Sequence, residues 1–316
     1  MASGELFLEV RCEEIPARML QPAMAELGTR LFEELMGRNL APAKVTTGFT
    51  PRRLVVTLEG LPQGEADRQE RKIGPPAKVA YDEAGEPTAA LLGFAQRCGV
   101  DPADVETETT DKGDYLAATV EIPGSATSDV LAEMLPRLLA GLNWPKSMRW
   151  GAAVGPWVRP VHSIVALYEG EIVPFELFGV AAGRQTIGHP LHSPAHIEVT
   201  DIESYQRELE SHGILVVFDT RREELSSGLE VGAGAVGGLV VYDDALLEKL
   251  ASICEIPGVI CGGIDSLDLP REVLITSLRD HQSAFSVEGD EGLLPYFLTV
   301  MDRTEDPEGR VQRGNV

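Results

Sequence analysis

With 316 residues and 43% apolar side chains, the chain can bury the core of one large domain or two ordinary ones, which excludes wholesale disorder. Its 27 basic and 50 acidic residues leave a net charge of −23, which repels nucleic acid over the surface as a whole and confines any RNA contact to a local basic island. No apolar run approaches the roughly 18 residues of a membrane span, Met1–Leu8 lacks the pattern of a secretion signal, and Cys12, Cys98, Cys254 and Cys261 form no CxxC pair; a soluble, cytoplasmic chain with reduced thiols and no zinc site is expected.

Leu6, Leu8 and Val10 alternate with Phe7, Glu9 and Arg11 as in a strand, and after Pro16 the spacing of Met24, Leu27, Leu31 and Leu35 predicts a helix. Leu54, Val56 and Leu58 predict a second strand, followed by a polar stretch, Pro62–Pro76, that reads as a loop. Thr88–Cys98 reads as a helix and Glu106–Ile122 as a hairpin turning near Lys112 and Gly113. Val130, Leu131, Met134, Leu135 and Leu138 form the buried stripe of a further helix, which Pro136 is placed to bend.

Trp144–Pro160 reads as a loop, and Ser163–Tyr168 and Glu171–Leu177 as a hairpin joined at Glu169 and Gly170. Asp201 caps a helix that stops at Gly213, and Ile214–Phe218 is apolar and β-branched enough for a buried strand. Arg221–Leu229 looks helical and Leu239–Tyr242 extended; Asp244–Ile253 and Pro270–Arg279 read as helices, and Leu294–Val300 as a strand. Hairpins mixed with strand-helix-strand passages give an α+β (mixed α/β) class, mixed sheets with packed helices. Two sublobes, 1–140 and 141–316, are expected where Gly141 ends a helix, or else one continuous domain.

Gly232, Gly234 and Gly237 satisfy a GxGxxG count, but a helix precedes them and a strand follows, the reverse of what a dinucleotide fingerprint needs. His189, His192 and His196 are close in sequence, yet Pro190 and Pro194 break any helix that would align them on a metal. Ser147, Ser163 and Ser193 have no GxSxG setting, and Glu13 and Glu14 read as strand-end charges, so no catalytic set can be built. One segment stands against the overall charge: Trp144, Lys146, Arg149, Trp150, Trp157 and Arg159 interleave cations with indole rings that either stack on bases or pack beneath. Arg52 and Arg53 form a second, weaker basic point. The structural alternative for all of them is a buried tryptophan cluster with arginines paired to carboxylates.

These stretches carry a family resemblance. Phe7-Leu-Glu-Val-Arg-Cys-Glu-Glu-Ile-Pro-Ala17, Thr50-Pro-Arg-Arg-Leu54, Lys146-Ser-Met-Arg-Trp-Gly151 and Arg159-Pro-Val-His162 resemble motifs of the beta subunit of the bacterial two-subunit glycyl-tRNA synthetase. Gly188-His189, Glu255-Ile-Pro257 and His281-Gln282 with Phe285 continue in the same order. Ala284 departs from the family's usual aromatic ring before Phe285, and Pro190 from the basic residue often found after Gly188-His189.

The resemblance implies an amino-terminal fragment, ending at Arg313-Gly-Asn-Val316 inside a continuing motif. Later HD-type, CCA-adding-like and anticodon-binding domains would be absent. It implies a fold like the editing-type domain of the phenylalanyl-tRNA synthetase beta chain, and a part in ATP-dependent glycyl-tRNA formation. Its partners would be tRNA(Gly) and the catalytic alpha subunit, in an α2β2 assembly away from any membrane. No cofactor is implied in this stretch, ATP and Mg2+ being used by the alpha subunit. On that footing the chain is expected to support acceptor-end binding through Lys146, Arg149 and Arg159, with Arg52 and Arg53 as weaker contacts. A docking module without RNA contact and an aminoacyl-ester editing domain are the alternatives.

Overall fold

In a computed structural model, residues 4–82, 85–151, 155–303, 306, 309 and 310 are described. Residues 152–154, inside the stretch expected as a loop, and 311–316, which hold the last motif fragment, lie outside that set. The chain divides into two compact units, residues 1–63 with 128–316, and residues 64–127.

In chain order the first elements are β1 (Gly4–Cys12), α1 (Ala17–Gly37), β2 (Lys44–Thr50), β3 (Arg53–Leu61), β4 (Arg68–Pro76), α2 (Ala89–Cys98), β5 (Glu106–Thr110), β6 (Gly113–Ile122) and α3 (Thr127–Ala140). The middle is built of short strands: β7 (Met148–Arg149), β8 (Pro156–Trp157), β9 (Val161–Tyr168), β10 (Glu171–Ile172), β11 (Glu176–Leu177), β12 (Val180–Gly183), β13 (Gln185–Ile187) and β14 (His196–Glu198). Then come α4 (Ile202–Ser211), α5 (Phe218–Ala235), β15 (Leu239–Val240), α6 (Asp244–Ser252), β16 (Pro257–Gly263), α7 (Arg271–Ser277), a π-helical turn at Leu278–Gln282, β17 (Phe285–Gly289) and β18 (Gly292–Asp302). The class is α+β, as expected. Residue 140, the expected break between sublobes, is the last residue of α3.

The larger unit is organised by a sheet in the order β11-β12-β9-β1-β3-β2, with β10 also paired to β9. Its pairings are antiparallel except where β12 runs parallel to β9. β1 lies at its centre and is buried on both faces. On one face Leu6, Leu8 and Val10 pack with the apolar stripes of α1 and α3, including Leu27, Leu31, Leu131 and Leu135. On the other, Phe7 joins Val165, Leu167, Tyr205, Leu209 and Ile214. The period-two pattern of β1 therefore separates two covered faces rather than a core face from a wet one.

A second sheet of the same unit, β15-β17-β18-β16, is antiparallel, and α5 and α6 share its core. The glycines of α5 permit close helix-sheet approach: a Cβ on Gly228 would lie 2.9 Å from Val259 Cγ2, and one on Gly232 3.0 Å from Leu298 Cδ2. Gly237, at φ +75°, turns the chain from α5 into β15, so the GxGxxG residues close a helix.

Residues 64–127 form the second unit, a β4-β6-β5 sheet with α2 over a core of Leu91, Phe94, Cys98, Leu116 and Ala118. This corrects the loop expected at Pro62–Pro76. Arg68–Lys72 is polar and exposed, so it carries no hydrophobic alternation, and its ladder with β6 makes it an edge strand.

Ile214–Phe218 is also corrected. Ile214 and Val216 are buried, but the carbonyls of Leu215 and Val216 accept from Arg221 Nη1 at 2.6 and 2.8 Å, and no strand ladder forms there. Glu171–Leu177 splits into β10 and β11 around Pro174, which has no N–H to donate to a ladder.

Candidate nucleic-acid interface

The basic-aromatic segment folds as a small hairpin. Met148 pairs with Trp157 and Arg149 with Pro156, and the Trp150 indole N–H donates to the Trp157 carbonyl at 3.1 Å. Trp157 is buried, with its ring 5.3 Å from Trp144 in an edge-on contact and 5.4 Å from Phe178. Trp144 and Trp150 are half-buried against the same core. The three tryptophans thus serve as packing beneath the hairpin, the second of the two roles their residue type allows.

The cations divide by exposure and by their hydrogen bonds. Lys146 and Arg149 are exposed and have no ion-pair partner among the described residues. Arg159 is half-buried and donates from Nε to the Glu14 carbonyl at 2.8 Å and from Nη1 to the Val158 carbonyl at 3.0 Å. Those contacts fix its side chain without neutralising its charge. His162, two residues past Pro160, lies 2.7 Å from Glu13, so acid borders the island on this side.

Arg52 and Arg53 do not join this surface. Arg53 is fully buried and donates to Glu9 at 2.7 Å, Glu255 at 2.8 Å, Thr186 at 2.9 Å and the Ile187 carbonyl at 2.5 Å. Arg52 meets Glu14, Asp302 and Glu255 at 2.6, 2.9 and 3.2 Å. Their expected role as weaker phosphate contacts is corrected accordingly: the guanidinium groups face internal carboxylates. The sequence alone hid this because the acids that claim them, Glu9, Glu255 and Asp302, lie far apart along the chain.

These residues form a buried ionic cluster that sequence reasoning missed as a unit. Burial disfavours the charged form of Glu255, but Arg53, Thr50 and Arg52 outweigh it and hold the carboxyl below the ordinary carboxylate range. Burial opposes Asp302 in the same way, yet hydrogen bonds from His189, the Ile256 amide and Arg52 hold it well below that range. Burial followed by the Glu9 charge pushes the Tyr205 phenol well above its usual value, and the phenol donates to Glu9 at 2.8 Å. The cluster ties β1 and β3 of the large sheet to the start of β16 and the end of β18. Glu14, whose carboxylate meets Arg52 and whose carbonyl meets Arg159, links it to the base of the hairpin.

His189 lies 2.9 Å from Asp302 and its ring 4.9 Å from that of His192, while His196 sits exposed on β14. Among the described residues no group of three or more His, Cys, Asp or Glu is arranged to hold a metal. Among the same residues no helix is long and apolar enough to cross a membrane.

The family model described as glycyl-tRNA synthetase beta subunit matches residues 6–316. The glycine–tRNA ligase beta subunit of Syntrophotalea carbinolica is 40% identical over 316 residues, covering 99% of this chain and 46% of that protein. The corresponding subunit of Syntrophus aciditrophicus is 37% identical with the same coverage, and that of Geobacter metallireducens 40% identical over 307 residues, covering 96% and 45%. The chain spans about half the length of the curated relatives it matches.

Proposed function

This chain belongs to the glycyl-tRNA synthetase beta subunit family, and on that premise we propose that its Trp144–Pro160 hairpin holds the acceptor end of tRNA(Gly) by the RNA backbone. The reading has the chain also assemble with a catalytic alpha subunit in an α2β2 complex in the cytoplasm. In that division of labour ATP, Mg2+ and glycine are handled by the alpha subunit, and this chain supplies RNA grip and scaffold.

The observation that carries the reading is the exposure of Lys146 and Arg149, unpaired among the described residues, in a chain of net charge −23. An unpaired cation on a solvent-facing hairpin meets a phosphate without first breaking an internal ion pair. The tryptophan anchor beneath keeps the hairpin from losing that arrangement to chain entropy.

The test is the salt dependence of tRNA binding. Three phosphate contacts, from Lys146, Arg149 and Arg159, give a slope of log K against log salt of about −2 to −3. Replacing Lys146 and Arg149 together by alanine should flatten the slope by about 1.5. An unchanged slope removes the hairpin from the interface.

A specific observation also favours protein docking. Phe32 and Met36 are exposed large apolar side chains on α1, lining a cavity of about 530 Å³ with Pro42 and Val45. Copurification with the alpha subunit after nuclease treatment, lost on Phe32→Glu, would assign docking to this face.

A further inference from the structure

Glu13 and Glu14 sit where a surface that binds RNA has least use for acids. They occupy the connector between β1 and α1, outside any helix or strand, and border the base of the Trp144–Pro160 hairpin. Carboxylates beside a phosphate site oppose binding by direct repulsion. The contacts these residues make point to a compensating use.

The Glu13 amide donates to the Pro160 carbonyl at 3.0 Å, and the Glu13 carboxylate lies 2.7 Å from His162 Nε2. The Glu14 carbonyl accepts from Arg159 Nε at 2.8 Å. One dipeptide thus holds the segment Arg159–His162. On its other side, the Glu14 carboxylate accepts from Arg52 Nη2 at 2.6 Å.

Arg52 is a fixed post for that carboxylate. Its side chain is 8% exposed, and Nη1 is held by Asp302 at 2.9 Å and Glu255 at 3.2 Å. An ion pair between two mobile surface side chains gains little, because both must be ordered together. Here one partner is ordered already by internal charges. The backbone on either side of Glu14 is tied to the same turn, with the Cys12 amide donating to the Arg52 carbonyl and the Ile15 amide to the Pro51 carbonyl, both at 2.7 Å. Between those anchors, the Glu14 side chain adds the restraint that orients its own carbonyl.

The restraint reaches Arg159. Nε on the Glu14 carbonyl and Nη1 on the Val158 carbonyl fix the guanidinium plane, and Nη2 has no partner among the described residues. A guanidinium oriented in advance offers its free edge to a phosphate without losing rotamer freedom on contact.

We infer that Glu14 is a positioning residue for RNA: braced on Arg52, it holds Arg159 with its Nη2 edge free, and the buried ionic cluster thereby sets part of the geometry of the hairpin surface. The inference rests on the hairpin reading above and adds to it a residue that acts through Arg159 rather than on the phosphate.

The test compares Glu14→Gln with Glu14→Ala in fluorescence-anisotropy titrations of a labelled tRNA(Gly) transcript. Both variants remove the same charge and relieve the same repulsion, but only glutamine keeps an acceptor for Arg52. The Glu14 side chain is 66% exposed, so neither change opens the core. The glutamine variant should bind about two- to fivefold more tightly than the alanine variant. That gap should vanish when Arg159→Ala is added to both, because the acceptor then has nothing to position. Equal affinities of the two variants, in a chain that Arg159→Ala does weaken, overturn the inference and leave the hairpin interface standing. A gap that survives Arg159→Ala also overturns it and assigns Glu14 to another contact. A wild-type chain that binds no RNA removes the hairpin reading, and one that binds equally well without Arg159 removes that residue from it; the inference falls in both cases.

Discussion

Arg53 and Glu9 face each other across adjacent central strands, Nη1 to Oε1 at 2.7 Å, with both side chains shut off from water. Glu255 meets the same guanidinium at 2.8 Å from the loop ahead of β16, so one cation holds two acids that are remote in sequence.

Replacing that cation alone should therefore be costly. Arg53→Met leaves Glu9 and Glu255 buried without it, and the expected loss is about 3–5 kcal/mol, the range for breaking a buried pair from one side. Urea unfolding measures it. A loss below about 1 kcal/mol would mean that water or Arg52 takes over the compensation.

Acid should unfold the chain partly through Asp302. Its folded pKa lies below the ordinary value of 3.8, so its contribution is complete above that value and is lost as pH falls toward the folded one. The Glu255 carboxyl, also held below its ordinary range, contributes in the same direction. Asp302→Asn should lower stability at pH 7 and flatten the fall between about pH 5 and pH 2. Equal acid slopes in both proteins would show that Asp302 is not stabilised by its partners.

The hairpin should separate into an anchor and a surface. Trp157→Ala empties a buried site and is expected to cost about 3–5 kcal/mol. Arg149→Ala touches nothing buried and should stay within about 0.5 kcal/mol. Thermal melts of the two variants, read with their RNA affinities, distinguish loss of fold from loss of contact.

Thiol chemistry gives an independent check on the core. Cys12 and Cys254 are buried, and burial pushes both thiols up to about 12, so each is protonated at pH 8 and closed to reagent. Cys261, half-exposed with a thiol raised by its partial burial, should react first with an aromatic disulfide reagent, and Cys12 and Cys254 only on unfolding. Fast labelling of Cys12 in the native chain would contradict the packing of β1.

The sequence by itself determined the elements whose stabilisation is local or amphipathic. The stripe of α1, the capping box at Asp201 and the positive-φ turn at Glu169 and Gly170 all form where spacing and residue type predicted them. It also marked the one place where cations and indoles interleave on an acidic chain, and the family motifs that run through it. What only the tertiary structure decided is which charges meet water. Arg53 and Arg149 are equivalent as residue types, yet one lies at the centre of a doubly covered sheet and the other on a hairpin surface. That difference depends on long-range pairing with Glu9 and Glu255, and on a second layer over the odd face of β1. No local periodicity carries that information, because a period of two reports alternation between faces and says nothing about how many of them are covered.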